Sequence, residues 1–234
     1  MKKEFYSLCL ALLVPILSGL ITFNGFTQSP FEFYEAPNRW DIGVKASNVQ
    51  FYGDLPDSEN KLAYGFYANS ILAPAVGFRF LLNFGEMAGQ RKDLTGKDNR
   101  NNRKFETKYI DYTIDLNFDL FKIFTGDIEN PLSVNGFLGI GYIRYRTKKY
   151  SLDDVLIEYV GYTDNGETKD KMGLDFVFPY GLEVGYMVTE NIGFDLSFKM
   201  YATSTDALDG RDREGTAIDM YHNFSLGVKY KFSL

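Results

Sequence analysis

The sequence holds one cysteine, Cys9, one histidine, His222, and one tryptophan, Trp40, in 234 residues. A lone cysteine excludes an internal disulfide, and one His with one Cys excludes most His/Cys metal sites, so neither a metal nor a cofactor is expected. Positive charge is also scarce: 25 Lys+Arg face 31 Asp+Glu, a net charge of -6. That balance argues against a nucleic-acid partner, because such proteins turn a basic face to phosphates. Past residue 28 no apolar run approaches the roughly 20 residues of a helical membrane span. What is plentiful is aromatic, 21 Phe and 17 Tyr, and these residues favour strands. The chain is too apolar for disorder and long enough for one packed β-rich domain.

Met1-Lys2-Lys3 precedes a mostly apolar run over residues 5–21 and a softer stretch with small residues at Gly25 and Thr27. This is the order of a secretory signal, with cleavage expected after Thr27. The rival reading is an uncleaved membrane helix, but Pro15 and Gly19 interrupt a run barely long enough to span. The expected organisation is a signal peptide over residues 1–27, a periplasmic N-terminal segment over 28–39 and a β-domain over 40–234. Cys9 leaves with the signal.

Beyond the signal, hydrophobicity alternates with period two, the mark of strands with one apolar and one polar face. From Leu174 to Val188 every even position is apolar or aromatic, and Asp175, Pro179, Gly181, Glu183 and Gly185 fall between. The same alternation predicts eight strands, over about 40–53, 62–71, 75–91, 104–122, 132–147, 172–188, 191–203 and 219–234. Their connections alternate in length: three short ones and four long polar ones, residues 54–61, 92–103, 148–171 and 204–218. An even strand number with short turns at one end and long loops at the other is the arrangement of a bacterial outer-membrane barrel. The fold expected is therefore all-β: an eight-stranded antiparallel up-and-down transmembrane β-barrel, in the bacterial outer membrane with both termini periplasmic.

A soluble lipocalin-like barrel or a sandwich would show the same alternation with the faces exchanged. Aromatics near strand ends on the apolar face (Trp40, Tyr109, Tyr112, Tyr180, Tyr186, Tyr201, Tyr230, Phe232) read as interfacial girdles instead. The opposite faces carry both signs of charge, Lys45, Arg79, Asp111, Asp115, Asp119, Glu183, Asp195, Lys199, Lys229 and Lys231. Such a set is expected to pair inside the lumen, since eight strands leave just enough room for side chains.

The chain also resembles the OmpA-like eight-stranded outer-membrane barrels of Bacteroidetes-type envelopes. The similar stretches are Phe51-Tyr52-Gly53-Asp54, Arg103-Lys104-Phe105-Glu106-Thr107 and Gly136-Phe137-Leu138-Gly139-Ile140-Gly141. They continue through Pro179-Tyr180-Gly181-Leu182 with Gly185-Tyr186, Thr205-Asp206 with Leu208-Asp209-Gly210, and the last strand. There Gly227, Tyr230 and Phe232 resemble the signal read by the barrel assembly machinery, although the chain ends Ser233-Leu234 and not on an aromatic. The resemblance implies a barrel and carries no activity with it.

A hydrolase at the membrane usually needs His beside Ser and an acid, and His222 with Asp219 and Ser225 is the one candidate set. Positions 222 and 225 differ by an odd number and point to opposite faces of a regular strand. No catalytic residue is therefore expected. The acidic rungs Asp111, Asp115 and Asp119 could form a cation path, but neutralisation by the lumen bases is preferred in so narrow a barrel. The leading expectation is a non-enzymatic barrel with a structural or interaction role, for example as an accessory subunit of an envelope or secretion complex. The alternatives are a small-solute porin and a lipid A-modifying enzyme. Expected partners are outer-membrane lipid and lipopolysaccharide, the assembly machinery, and envelope proteins meeting the long loops. The third long loop, with Tyr150, Leu156, Tyr159 and Tyr162, is the favoured contact because it is richer in apolar residues than a solvated loop needs.

Overall fold

A computed structural model describes residues 39–53, 57–91, 103–126, 130–162, 172–205, 207–210 and 219–233. The expected signal peptide, and the periplasmic segment except Arg39, lie outside these residues. Eight long strands form the wall: β1 (Arg39–Tyr52), β3 (Lys61–Ala73), β4 (Val76–Arg91), β5 (Arg103–Asp119), β6 (Leu132–Ser151), β8 (Gly173–Met187), β9 (Ile192–Thr203) and β10 (Met220–Ser233). Two short strands in the long loops complete the set, β2 (Asp57–Glu59) against β4 and β7 (Leu156–Val160) against β6. Each long strand pairs antiparallel with the next, and β1 pairs with β10 from Arg39↔Ser233 to Tyr52↔Met220. That last ladder closes the wall, so each of the eight long strands has a neighbour on both sides and none is left as an edge.

The pleat sorts the side chains into two populations. Val44, Phe66, Phe80, Ile114, Leu138, Leu182, Leu196 and Leu226 stand exposed on the outer wall. Their odd-numbered neighbours, including Lys45, Arg79, Asp115, Glu183, Ser197 and Lys199, are buried inside. A water-soluble barrel would show the reverse, because leaving a large apolar side chain in water costs roughly 1.5–3 kcal/mol.

Inward glycines let long side chains lie flat across the wall. Tyr67 on β3 covers Gly43 on β1, and Tyr145 on β6 covers Gly173 on β8, each so closely that a Cβ would collide with the ring. The lumen is then filled in two tiers. Toward the long-loop end, Phe51, Phe105, Tyr109, Tyr201, Tyr221 and Leu208 belong to one apolar cluster. Toward the short-turn end lie the charged side chains.

Three features correct the sequence reading. The fourth wall strand stops at Asp119 and not at 122, and α1 (Leu120–Thr125) follows. The Asp119 carboxylate caps α1 by accepting from the Lys122 N–H at 3.2 Å, and Gly126 ends it at φ 71°. The third long loop is partly a hairpin, with β6 running to Ser151 and returning as β7. Tyr109 and Tyr201 belong to no girdle: both point inward and are buried.

Candidate functional site

The charged tier is built by strands on opposite sides of the barrel. Arg79 on β4 donates from both terminal nitrogens to the Glu183 carboxylate on β8, at 2.6 and 2.8 Å. It also donates from Nε to Asn69 Oδ1 at 2.6 Å, which holds the guanidinium plane. The rings of Tyr67 and Phe137 lie 4.5 and 4.3 Å from the guanidinium carbon, so its faces meet aromatic quadrupoles. Lys199 on β9 donates to Asp115 on β5 at 2.5 Å and sits 4.1 Å from the Phe137 centroid. The Tyr67 hydroxyl donates to Asp195 at 2.5 Å. Asp111 accepts from Asn83 at 2.6 Å and from the Tyr221 hydroxyl at 2.9 Å.

Lys45 lies in the same tier, buried, yet among the described residues its ammonium has no direct hydrogen-bond partner. The expected set of lumen charges is therefore brought together, but not all of its members pair directly. Asp119 faces Lys122 at 3.4 Å, and Lys229 and Lys231 line the short-turn mouth. There a cavity of about 950 Å³ opens, bordered by Asp41, Asn117, Asn135, Glu190 and the two lysines.

The long-loop mouth is closed. Tyr201 and Tyr221 stack at 4.6 Å with planes 3° apart, and Tyr109 lies 5.4 Å from Tyr221. Above them residues 207–210 of the last long loop fold inward, and Leu208 is fully buried. Its N–H donates to Asp219 at 2.8 Å, and its carbonyl accepts from Thr107 and Thr147 at 2.5 and 3.1 Å. Gly210, at φ 89°, lets the chain turn against Lys149.

His222 faces outward between the rings of Tyr52 and Phe198, at 5.3 and 5.0 Å. Ser225 faces inward and shares a hydrogen bond with Ser47 at 2.7 Å. No described residue joins the two into a dyad, and Asp219 is occupied with Leu208. Of the last-strand residues, Gly227 lies inward beneath Asp195, whereas Tyr230 stands on the outer wall stacked with Phe232 at 6.5 Å. In the third loop, Tyr150 and Tyr162 lie beside the Lys104 and Lys148 ammoniums, at 5.9 and 4.4 Å from the ring centroids. Leu156 pairs with Tyr150, and Tyr159 with Lys148.

A closed antiparallel barrel with an apolar outer wall and a charged, side-chain-filled interior is a transmembrane β-barrel. Residues 18–232 match the family model described as the outer membrane protein beta-barrel domain, and the chain belongs to that family. Among curated proteins none matches. Among solved structures, the attachment invasion locus protein Ail of Yersinia pestis is 14% identical, with 84% of this chain and 100% of that one covered and a TM-score of 0.48. OprG of Pseudomonas aeruginosa is 13% identical over 86% and 98%, with a TM-score of 0.49. Neisserial surface protein A is 14% identical over 82% and 97%, with a TM-score of 0.46.

Proposed function

We propose that this barrel is a non-enzymatic component of the outer membrane with a structural or interaction role, oriented with its short turns in the periplasm and its long loops outside. The observation that carries this reading is the double closure of the lumen. The Arg79–Glu183 and Lys199–Asp115 pairs cross the middle of the barrel, and the tyrosine stack with Leu208 fills the outer mouth. A scaffold so filled offers its surface to partners in place of its interior. The loops at the outer end are the contact region for envelope proteins, with Val155 and Ile157 exposed on the β6–β7 hairpin. The small-solute porin remains the second reading because of the cavity at the short-turn mouth.

Conductance in planar lipid bilayers tests the choice. The purified full chain is expected to insert without opening stable channels, and a persistent ion-selective conductance that Asp115→Asn alters would establish the porin instead.

A further inference from the structure

The connection between β5 and β6 carries α1, and this helix lies on the outer side of the wall. The Leu120 side chain covers Gly136 of β6, 3.7 Å from where a Cβ would stand. Gly136 has the outward parity of β6, because Phe137 is buried in the lumen and Leu138 is exposed on the wall. Opposite Gly136 stand Phe118 of β5 and Leu182 of β8. The next outward pairs toward the short-turn end are Val134↔Val184 and Leu132↔Tyr186, and Leu182, Val184 and Tyr186 are all exposed on the outer wall.

Depth follows from the strand beneath the helix. The outward positions of β6 from Leu132 to Tyr142 carry no charge, and they mark the apolar band on this side of the barrel. Gly136 lies about 10 Å into that band, counted from Leu132 at about 3.4 Å per residue and a tilt of about 40°. A helix of six residues is only about 9 Å long, and the chain has to return to Leu132. α1 therefore ends no lower than the edge of the band.

The side chains of α1 suit that depth. At 3.6 residues per turn, Ile123, Leu120, Phe124 and Phe121 share one arc of about 160°, with Lys122 opposite. Ile123 is buried, so its edge of the arc lies against the barrel, whereas Phe124 at the other edge is 67% exposed, more than any large apolar residue described on the wall. Lys122 turns the other way, to Asp119 at 3.4 Å and the short-turn cavity. The one hydroxyl of the helix, on Thr125, donates back to the Phe121 carbonyl at 2.8 Å, as a polar group near lipid requires.

We propose that α1 is an interfacial anchor whose Phe121–Phe124 edge inserts among the phospholipid acyl chains of the leaflet at the short-turn end, continuing the lipid-facing surface of Leu182, Val184 and Tyr186. That this leaflet is the periplasmic one rests on the orientation proposed above. Insertion itself does not depend on orientation.

The experiment uses the full chain refolded into phosphatidylcholine vesicles, with Trp40→Phe removing the one native indole and Phe124→Trp as reporter. Phosphatidylcholine brominated near the headgroup is expected to quench it about twofold more than the same lipid brominated near the chain end, as an interfacial depth of roughly 5–10 Å requires. Acrylamide in the water is expected to quench it little. In the same background Leu196→Trp, at mid-wall, is expected to show the reverse preference between the two lipids, and Ile157→Trp, on the β6–β7 hairpin, to respond to acrylamide alone. A Phe124→Trp signal that follows Ile157→Trp, or that no quencher reaches, overturns the anchor, and one that follows Leu196→Trp overturns its interfacial depth. Exchanging part of the phosphatidylcholine for phosphatidylglycerol is expected to change nothing, because Lys122 is turned to Asp119. Quenching that appears only with the anionic lipid overturns insertion by apolar residues. Should the Phe124→Trp chain not fold, Phe121→Trp is the reporter, with the same supporting and opposing results. Orientation is read separately, by labelling Ser58→Cys with an impermeant maleimide on intact cells, with the parent chain as blank. Labelling only after the outer membrane is breached would refute the orientation and move α1 to the outer leaflet, while the quenching still judges its insertion.

Discussion

Arg79 concentrates the energetics of the interior on one side chain. Its two terminal nitrogens are committed to Glu183, its Nε to Asn69, and its faces to Tyr67 and Phe137. Removing either member of a buried pair strands the other charge at a cost of about 3–5 kcal/mol, whereas replacing both by apolar groups of similar volume is often close to neutral. Glu183→Ala is therefore expected to destabilise the barrel by roughly that amount in urea-dependent refolding into lipid vesicles. Arg79→Met/Glu183→Leu is expected to lose much less, and a double variant as costly as the sum of the single ones would show that the two residues act independently. The residue types and their inward direction were legible in the sequence, since Arg79 and Glu183 sit on the polar parity of their strands. Their pairing was not, because β4 and β8 meet only across a closed barrel. Tyr109 and Tyr201 teach the opposite lesson. They share parity with Asp111 and Lys199, which already pointed them inward, and their aromatic character alone put them on the lipid side. Asn69, Asn83 and Tyr221 were missed for lack of charge, although each lies on the same inward parity.

At the scale of elements, period two located all eight wall strands to within a few residues, because every one of them has a lipid face and a lumen face. α1 was absorbed into the fourth strand, although Asp119 and Gly126 are ordinary cap residues at a helix-length spacing. Only its first three residues, Leu120 to Lys122, fall within the strand expected over 104–122. β2 and β7 lie above the wall, where no lipid face forces a period. A strand that crosses a bilayer also has a depth profile, which β9 makes measurable. Ile192 opens β9 at the short-turn end and Leu196 lies in its middle, with Leu226 opposite, and the two are 44% and 45% exposed. Equal exposure would predict equal tolerance in water. In a bilayer Leu196→Arg is expected to cost about 2–4 kcal/mol and Ile192→Arg about 0–1, since an arginine near the interface reaches the headgroups. Equal costs in vesicle refolding would place the apolar band elsewhere on the wall.

For the whole molecule, the two closures stand in series, and they differ in what holds them. The outer one is a loop segment, residues 207–210, fixed by Asp219, Thr107 and Thr147 and backed by stacked tyrosines. The inner one is part of the wall, because Arg79, Glu183, Lys199 and Asp115 project from four long strands. Opening one leaves the other across the same path, so neither single change should conduct. Replacing residues 207–210 with a four-glycine linker removes the Leu208 side chain from the outer closure without touching a wall strand, and it is expected to give a folded, silent barrel in planar bilayers. Arg79→Ala/Glu183→Ala widens the inner tier and is likewise expected to stay silent under the intact outer closure. Combining the two with Tyr201→Ala and Tyr221→Ala removes the stack as well, and small, brief conductance steps are then expected. Steps from the linker variant alone would mean that the charged tier already passes ions, and the filled interior would no longer support a scaffold over a porin.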